Sequence, residues 1–198
     1  MANADLSVED VLTAGFMMGG ERLVALDLVD TVVLAGEPAV DLIESPERYA
    51  GWWELQEGRL PSGPLPELAA TRRLRTAIRD VLDSQLAGVR PLATSVEDIN
   101  AASAGAPSSR RLVLRGRELD AETRWHSEYG GSAALAAIAG EVIELMADPE
   151  RLSTLRRCAN PNCSMLFLAE HKRRQWCVGS VCGNRARVAR HYQRTKQS

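Results

Sequence analysis

No apolar run in this 198-residue chain approaches the roughly 18 residues that a membrane-spanning helix needs, which predicts no membrane partner. Histidine is scarce, three in all, and His171 and His191 both fall near the end. There is no Gly-rich phosphate loop, no helical His-Glu-x-x-His and no nucleophile elbow. With so little histidine a hydrolytic site is hard to assemble, and the chain is expected not to be an enzyme. Internal repeats are absent, and low complexity is confined to patches such as residues 101–109, read as a loop. The first ten residues are acidic and lack an uninterrupted apolar stretch, so a cytoplasmic, reducing setting is expected, where structural disulfides are rare. Cysteine is missing altogether before residue 158.

The four cysteines that do occur are Cys158, Cys163, Cys177 and Cys182, spaced as Cys-x4-Cys, thirteen residues, Cys-x4-Cys. Two short knuckles joined by a loop suit a tetrahedral thiolate site, each tight turn presenting two sulfurs. The even spacing matches none of the common ferredoxin patterns. Four thiolates leave no position for water, so one structural Zn²⁺ is expected rather than a catalytic one.

Charge is divided as unevenly as cysteine. From Arg151 to Ser198 eleven Lys or Arg face a single acid, Glu170, while the rest of the chain carries a net −12. A basic module on an acidic body reads as a polyanion binder with a separate control domain, a merely solvated face being the plainer alternative. Length and a hydrophobic content of 45% allow one medium domain plus a small one. The expected division is a loosely held arm over 1–20 with room for one helical turn near Val8–Leu12, a regulatory domain over 21–150 and a finger over 151–198.

Along the body, Val24, Leu26 and Leu28 alternate with Ala25, Asp27 and Val29, which suggests a strand within 21–34 and leaves a helix open, since periodicity alone does not exclude one. Asp27 and Asp30 in that apolar run are read as hydrogen-bonded at a turn or sheet edge in preference to lining a pocket. Ser45-Pro46 should open a helix carrying Tyr49, Trp52 and Trp53, read as core before ligand wall. A second helix is expected over about 66–86, with Leu74, Ala77, Ile78, Val81 and Leu82 inward and Arg72, Arg73, Arg75 and Arg79 on the opposite side. Thr94 to Glu97 has the form of a capping box, with Val96 and Ile99 inward. Strands turning near Gly116 follow, then a helix capped by Ser132 that buries Leu135, Ile138, Val142, Leu145 and Met146. Asp148-Pro149 starts a short helix to Leu155. The fold class is therefore α+β and mainly helical: a helical N-terminal domain with a small sheet, plus a treble-clef-like C-terminal zinc finger.

In the tail, Leu166–Leu168 and Arg174–Trp176 are expected to form a hairpin between the knuckles, and a helix should run on from Gly183. Helical spacing sets Arg187, Arg190, His191 and Arg194 on one face. Asn184 reads as an N-cap, and Arg185 as a holder of the finger's turns or carbonyls in preference to a base reader. Phe167 and Trp176 read as the finger's own core. The nucleic-acid contacts are then expected from Lys172, Arg173, Arg174, Arg187, Arg190 and Arg194.

The segment Leu155-Arg-Arg-Cys-Ala-Asn-Pro-Asn-Cys-Ser-Met-Leu-Phe-Leu, with Arg-Arg-Gln-Trp-Cys and Cys182-Gly-Asn-Arg185, resembles the bacterial CGNR zinc fingers. Leu26-Asp-Leu-Val-Asp-Thr31 and the Ser-Pro-initiated Trp helix resemble the ABATE-type domain that accompanies this finger in stress-induced transcription regulators. The resemblance spans roughly residues 20–195 and implies a DNA-binding finger under a sensing or regulating domain. Asp30 stands where Asn is common in that family, and Ala169-Glu170 replaces the usual Asp-x-Ser/Thr. A DNA-binding regulator is the expected function. An RNA-binding zinc module and a zinc-stabilised protein adaptor are the alternatives, with a homodimer left open and the acidic body able to mask the finger.

Overall fold

In a computed structural model, described for residues 6–16, 18–34, 39–126 and 132–196 with the side chains at 190, 191, 193 and 196 excepted, helices predominate and the strands form two-stranded antiparallel ribbons. α1 (Val8–Thr13) opens on a capping box, Ser7 Oγ accepting from the Asp10 N–H while the Asp10 carboxylate accepts from the Ser7 N–H. Val8 and Val11 are buried in the main core, so this segment is not the loose arm expected from sequence.

The largest departure comes next. Residues expected to form a strand form α2 (Val24–Val29), followed by β1 (Val32–Val33), which pairs with β2 (Val40–Asp41). All six residues of α2 are buried, including Asp27. A segment covered on every side has no exposed stripe, so alternation along it says nothing about its period. Asp27 is accordingly on a helix and not at a sheet edge; its carboxylate accepts from Arg59.

α3 (Pro46–Glu54) is capped by the Ser45 hydroxyl, with Pro46 in its first turn. Trp52 is fully buried, and Trp53 packs edge-on to it at 5.2 Å while staying half-buried. α4 (Leu68–Ala87) ends where Gly88 takes a left-handed φ of 67°. Its Leu74, Ala77, Ile78, Val81 and Leu82 point inward as expected. Of the four arginines expected on the opposite side only Arg73 is exposed; Arg72 and Arg79 are half-buried, and Arg75 is buried, with Nη1 and Nη2 donating to Asp41 at 2.6 and 2.7 Å.

α5 (Ala93–Ala104) begins on Leu92 with no side-chain cap, so Thr94–Glu97 is helix interior and not a capping box. Asp80 from α4 receives the Leu92 N–H at 3.0 Å instead. Ile99 is buried, whereas Val96 faces solvent, and residues 101–104 continue the helix where a loop was expected. β3 (Ser108–Arg115) and β4 (Glu118–Trp125) then turn at Gly116. α6 (Ala133–Ala147) is capped by Ser132 and buries Leu135, Ile138, Val142 and Leu145, with Met146 half-buried. α7 (Pro149–Leu152), capped by Asp148, stops short because Leu155 opens the next strand.

The C-terminal part consists of β5 (Leu155–Arg157), β6 (Leu166–Leu168), a π-helical turn over Gly179–Gly183 and α8 (Asn184–Lys196). Trp52, Ile78, Val81, Leu135 and Val142 lie in one core with Trp53 packed against it. The same core takes in Leu155, Met165, Leu166, Phe167, Leu168 and the four cysteines. Apolar packing therefore runs unbroken from the helices into the finger.

Candidate metal centre and its seat on the body

The first knuckle lies between two paired strands. β5 and β6 pair antiparallel, Leu155 with Leu168 and Arg157 with Leu166, and Cys158 N–H closes the ribbon on the Met165 carbonyl at 3.0 Å. The strand partner of Leu166–Leu168 is thus the segment before the knuckle. Arg174–Trp176, the expected partner, runs irregularly and donates no second strand. Within the knuckle, Cys163 N–H donates to the Asn160 carbonyl, while Asn160 Nδ2 approaches Cys182 Sγ at 3.6 Å. The second knuckle closes when Cys182 and Gly183 N–H groups both donate to the Val178 carbonyl. Ala159 N–H to the Gln175 carbonyl, 2.9 Å, ties one knuckle to the other.

These turns converge four sulfurs. All four lie within 4.8 Å of one another, with Cys163–Cys177 at 3.8 Å and Cys177–Cys182 at 3.7 Å. A tetrahedron with Zn–S of about 2.3 Å has edges of about 3.8 Å, so the spacing fits zinc and is far too long for disulfides. The donor set also calls for a cation. Left to themselves, hydrogen bonds from Cys163 and Cys177 hold Cys158 down to about 2, while Cys163 is pushed up to about 12 and Cys177 is pushed up as well. Sulfurs this close cannot all ionise around nothing. A divalent ion removes the conflict and makes four thiolates compatible. All four side chains are buried, Cys163 being the most open at 8%.

Gly183 is fixed by packing. A Cβ there would stand 3.0 Å from Trp176 Cδ1, so the indole packs directly against the glycine at the mouth of the second knuckle. Phe167 is fully buried in the shared core. Asn184 has helical φ and ψ, −69° and −45°, and is exposed, so it starts α8 without being its N-cap.

Arg174 takes the structural role expected of Arg185. Arg174 lies 4.4 Å over the Phe167 ring and donates to the carbonyls of Leu168, Trp176 and Cys177. Its guanidinium holds the finger's turns together, the work expected of Arg185. Arg185 is exposed, its guanidinium 5.6 Å from the Phe16 ring of the N-terminal segment. Lys172, Arg173, Arg187 and Arg194 are exposed as well, and the side chain of Arg190 lies outside the described residues.

What seats the finger was hidden in the apolar run. Asp30, at the end of α2, is 3% exposed, and both its oxygens lie 3.1 Å from the Leu166 N–H of β6. That N–H faces away from β5, and the carboxylate takes the place of a third strand. Burial raises Asp30 well above the usual carboxylate range, opposed by the Leu166 bond and by Arg79 at 3.9 Å. Ser164 Oγ donates to the Val32 carbonyl at 2.9 Å, and Arg157 pairs with Asp83 of α4 at 2.7 Å. Glu21 is buried beside the seam. Desolvation pushes it up to about 7, the nearby Arg174 pulling the other way.

Residues 23–149 match the ABATE family model, described as "Putative stress-induced transcription regulator". Residues 154–195 match the CGNR zinc finger model. No curated protein matches the chain.

Proposed function

We propose that this chain, which belongs to the ABATE family, is a transcriptional regulator that binds duplex DNA through its zinc-fixed final helix and works without catalysis, in the cytoplasm. One observation carries the reading. α8 leans mainly on the π-helical turn that holds Cys182, and its described side chains are exposed or at most half-buried. Even its apolar pair, Val188 and Tyr192, is 46% and 64% exposed, so the helix buries little in the core and is presented outward. Arg187 and Arg194 on that helix, with Lys172 and Arg173 on the loop before Cys177, are anchored by the same metal and suited to phosphates. A cleft of about 620 Å³ at the start of α8 brings Asn160, Asn162, Gln175 and Arg185 together, side chains able to reach base edges. Phe167 is buried and Trp176 half-covered, so of the finger's phenylalanine, tryptophan and tyrosine rings only Tyr192 is exposed, which favours duplex DNA over stacked single-stranded RNA.

The body neutralises only part of the finger. Asp83 occupies Arg157, and Glu21 faces Arg174, both on the inner side. Lys172, Arg173 and Arg187 stay exposed on the outer side, within reach of a polyanion. The test is binding of the zinc-loaded protein to duplex DNA and to structured RNA at two salt concentrations. Changing Arg187, Arg190 and Arg194 together to Ala should weaken DNA binding across sequences and keep zinc. The salt slope should fall by roughly 0.9 for each phosphate that the variant no longer neutralises. Wild-type affinity in that variant would overturn the reading and put the protein adaptor ahead.

A further inference from the structure

After α3 the chain runs through an irregular loop, residues 55–67, whose far end is pinned back to that helix by the Tyr49 hydroxyl donating to the Pro66 carbonyl at 2.7 Å. Pro61, Pro64 and Pro66 fix their own φ and stiffen the loop. Between the loop, α3 and the start of α6 lies a cleft of about 350 Å³, walled by Ala50, Trp53, Leu65 and Ala134. That volume falls within the range of small-molecule sites. Gln56 lines the cleft as well and is only 1% exposed. Its Oε1 accepts from Arg59 Nη1 at 2.6 Å, and a guanidinium only donates, so the amide cannot be turned round. The other end, Gln56 Nε2, is buried without an acceptor. Trp53 Nε1 is in the same position, since the Tyr49 hydroxyl of the neighbouring ring is already bonded to Pro66 and Thr71. Buried donors nearly always have partners. Two that lack one, on residues lining a single cleft, mark where an acceptor belongs.

We propose that this cleft binds a small neutral molecule with a flat apolar ring and a carbonyl oxygen, an aromatic amide being the simplest example. Each requirement has its own source. The two unpartnered donors call for an acceptor, and the indole of Trp53 calls for a planar apolar surface. Charge narrows the class further. The charged residues lining the cleft are Glu54 and Glu57, both exposed, with no lysine or arginine beside them, so an anion is repelled. A cation that carries only donors leaves Gln56 and Trp53 unsatisfied. The proline-stiffened rim lowers the ordering that binding would otherwise cost. Gln56 also connects the cleft to the rest of the body. The Arg59 guanidinium that holds its oxygen reaches Asp27 on α2 and the Glu21 carbonyl, and α2 ends at Asp30, the seat of the finger. An occupant that hydrogen-bonds Gln56 therefore bears on the group that braces α2.

Three probes of one shape separate these requirements: benzamide is neutral with a carbonyl, benzoate is an anion, and benzamidine is a cation without an acceptor. Nitrogen–proton correlation NMR of the isotope-labelled, zinc-loaded chain reads the Trp53 indole N–H and the Gln56 side-chain NH₂ directly. It needs no nucleic acid, so its outcome is independent of the DNA-binding reading. Benzamide should shift both signals in a saturable titration, and the two ions should bind several-fold more weakly. Trp53→Phe keeps a ring and removes the donor, and Gln56→Met keeps the length and removes the amide. Each should weaken benzamide binding several-fold with zinc content and melting unchanged. If Gln56→Met melts early for want of an Arg59 partner, Trp53→Phe alone decides. Benzamide leaving both signals unmoved, either ion matching it, or the deciding variant binding it like wild type would overturn the proposal.

Discussion

Residues 24–147 bury apolar side chains against one another across α2, α4 and α6, whereas residues 155–183 have few of their own to bury. The second region makes up the deficit twice over. Four sulfurs close on a metal, and the β6 residues Leu166, Phe167 and Leu168 are lent to the core of the first. A finger of this size has too little core to fold alone, and a structural metal is the usual remedy. Here the seat on the body adds a second remedy. Where sequence shows a boundary near residue 150, the packing shows a joint whose two halves depend on each other.

The sharpest way to break that comparison is at the metal. Cys177→Ser should abolish stoichiometric zinc retention, because three thiolates no longer close the tetrahedron. Sequence suggests that the body would stand unharmed. The shared core implies otherwise: the helical transition should move down as well, by several kcal/mol out of the roughly 10–16 that structural zinc contributes in finger peptides. Metal analysis together with thermal denaturation followed at helical wavelengths reads both effects. An unchanged helical transition in the zinc-free variant would show two independent units.

Local signals are legible in the sequence, and through-space ones are not. Ser45, Ser132 and Asp148 cap helices where expected, since a cap depends on three or four successive residues. The cysteine spacing identifies the zinc site for the same reason, each pair sitting in one turn. α2 reads as a strand because all its residues are buried, which removes any contrast between faces. Arg75 reads as exposed because its partner, Asp41, lies 34 residues away. Whether Arg174 or Arg185 holds the finger's carbonyls depends on which one reaches Phe167 and which one reaches Phe16, and no spacing rule carries that. The seating role of Asp30 rests on the Leu166 N–H turning away from β5, which only the folded chain shows.

Glu21 gives a smaller and pH-dependent probe of the joint. Its carboxyl rises from an ordinary 4.5 to about 7 because it is buried, with Asp27 raising it further and Arg174 and Arg59 opposing. The fold therefore prefers the protonated form. The stability this contributes is complete below pH 4.5 and is lost as pH rises through about 7, amounting to up to about 3 kcal/mol at 1.36 kcal/mol per unit. Glu21→Gln cannot ionise, so denaturant unfolding across that window should show a flatter slope and a more stable protein on the alkaline side. Asp27, Asp30 and Glu141 are shifted the same way, so part of the slope should survive. An identical slope in wild type and variant would mean that Glu21 is not desolvated at the joint.

Asp30 separates the two things a buried carboxylate does, accept a hydrogen bond and carry a charge. Asp30→Ala removes the acceptor of the Leu166 N–H and leaves that group buried without a partner, which costs about 1–3 kcal/mol. Asp30→Asn keeps an oxygen in place and discards the ionisation. Because burial raises Asp30 well above its ordinary value, the wild type is penalised as pH rises and the carboxyl is forced to ionise. The Asn variant should match wild type in acid and overtake it in alkali, whereas the Ala variant should be weaker than wild type in acid and weaker than the Asn variant at every pH. Limited proteolysis adds a readout specific to the joint: the Ala variant should be cut faster near β6 while still holding zinc. If Asp30→Ala unfolds and is cut like wild type, the carboxylate does not seat the finger, and the continuous core alone joins the two regions.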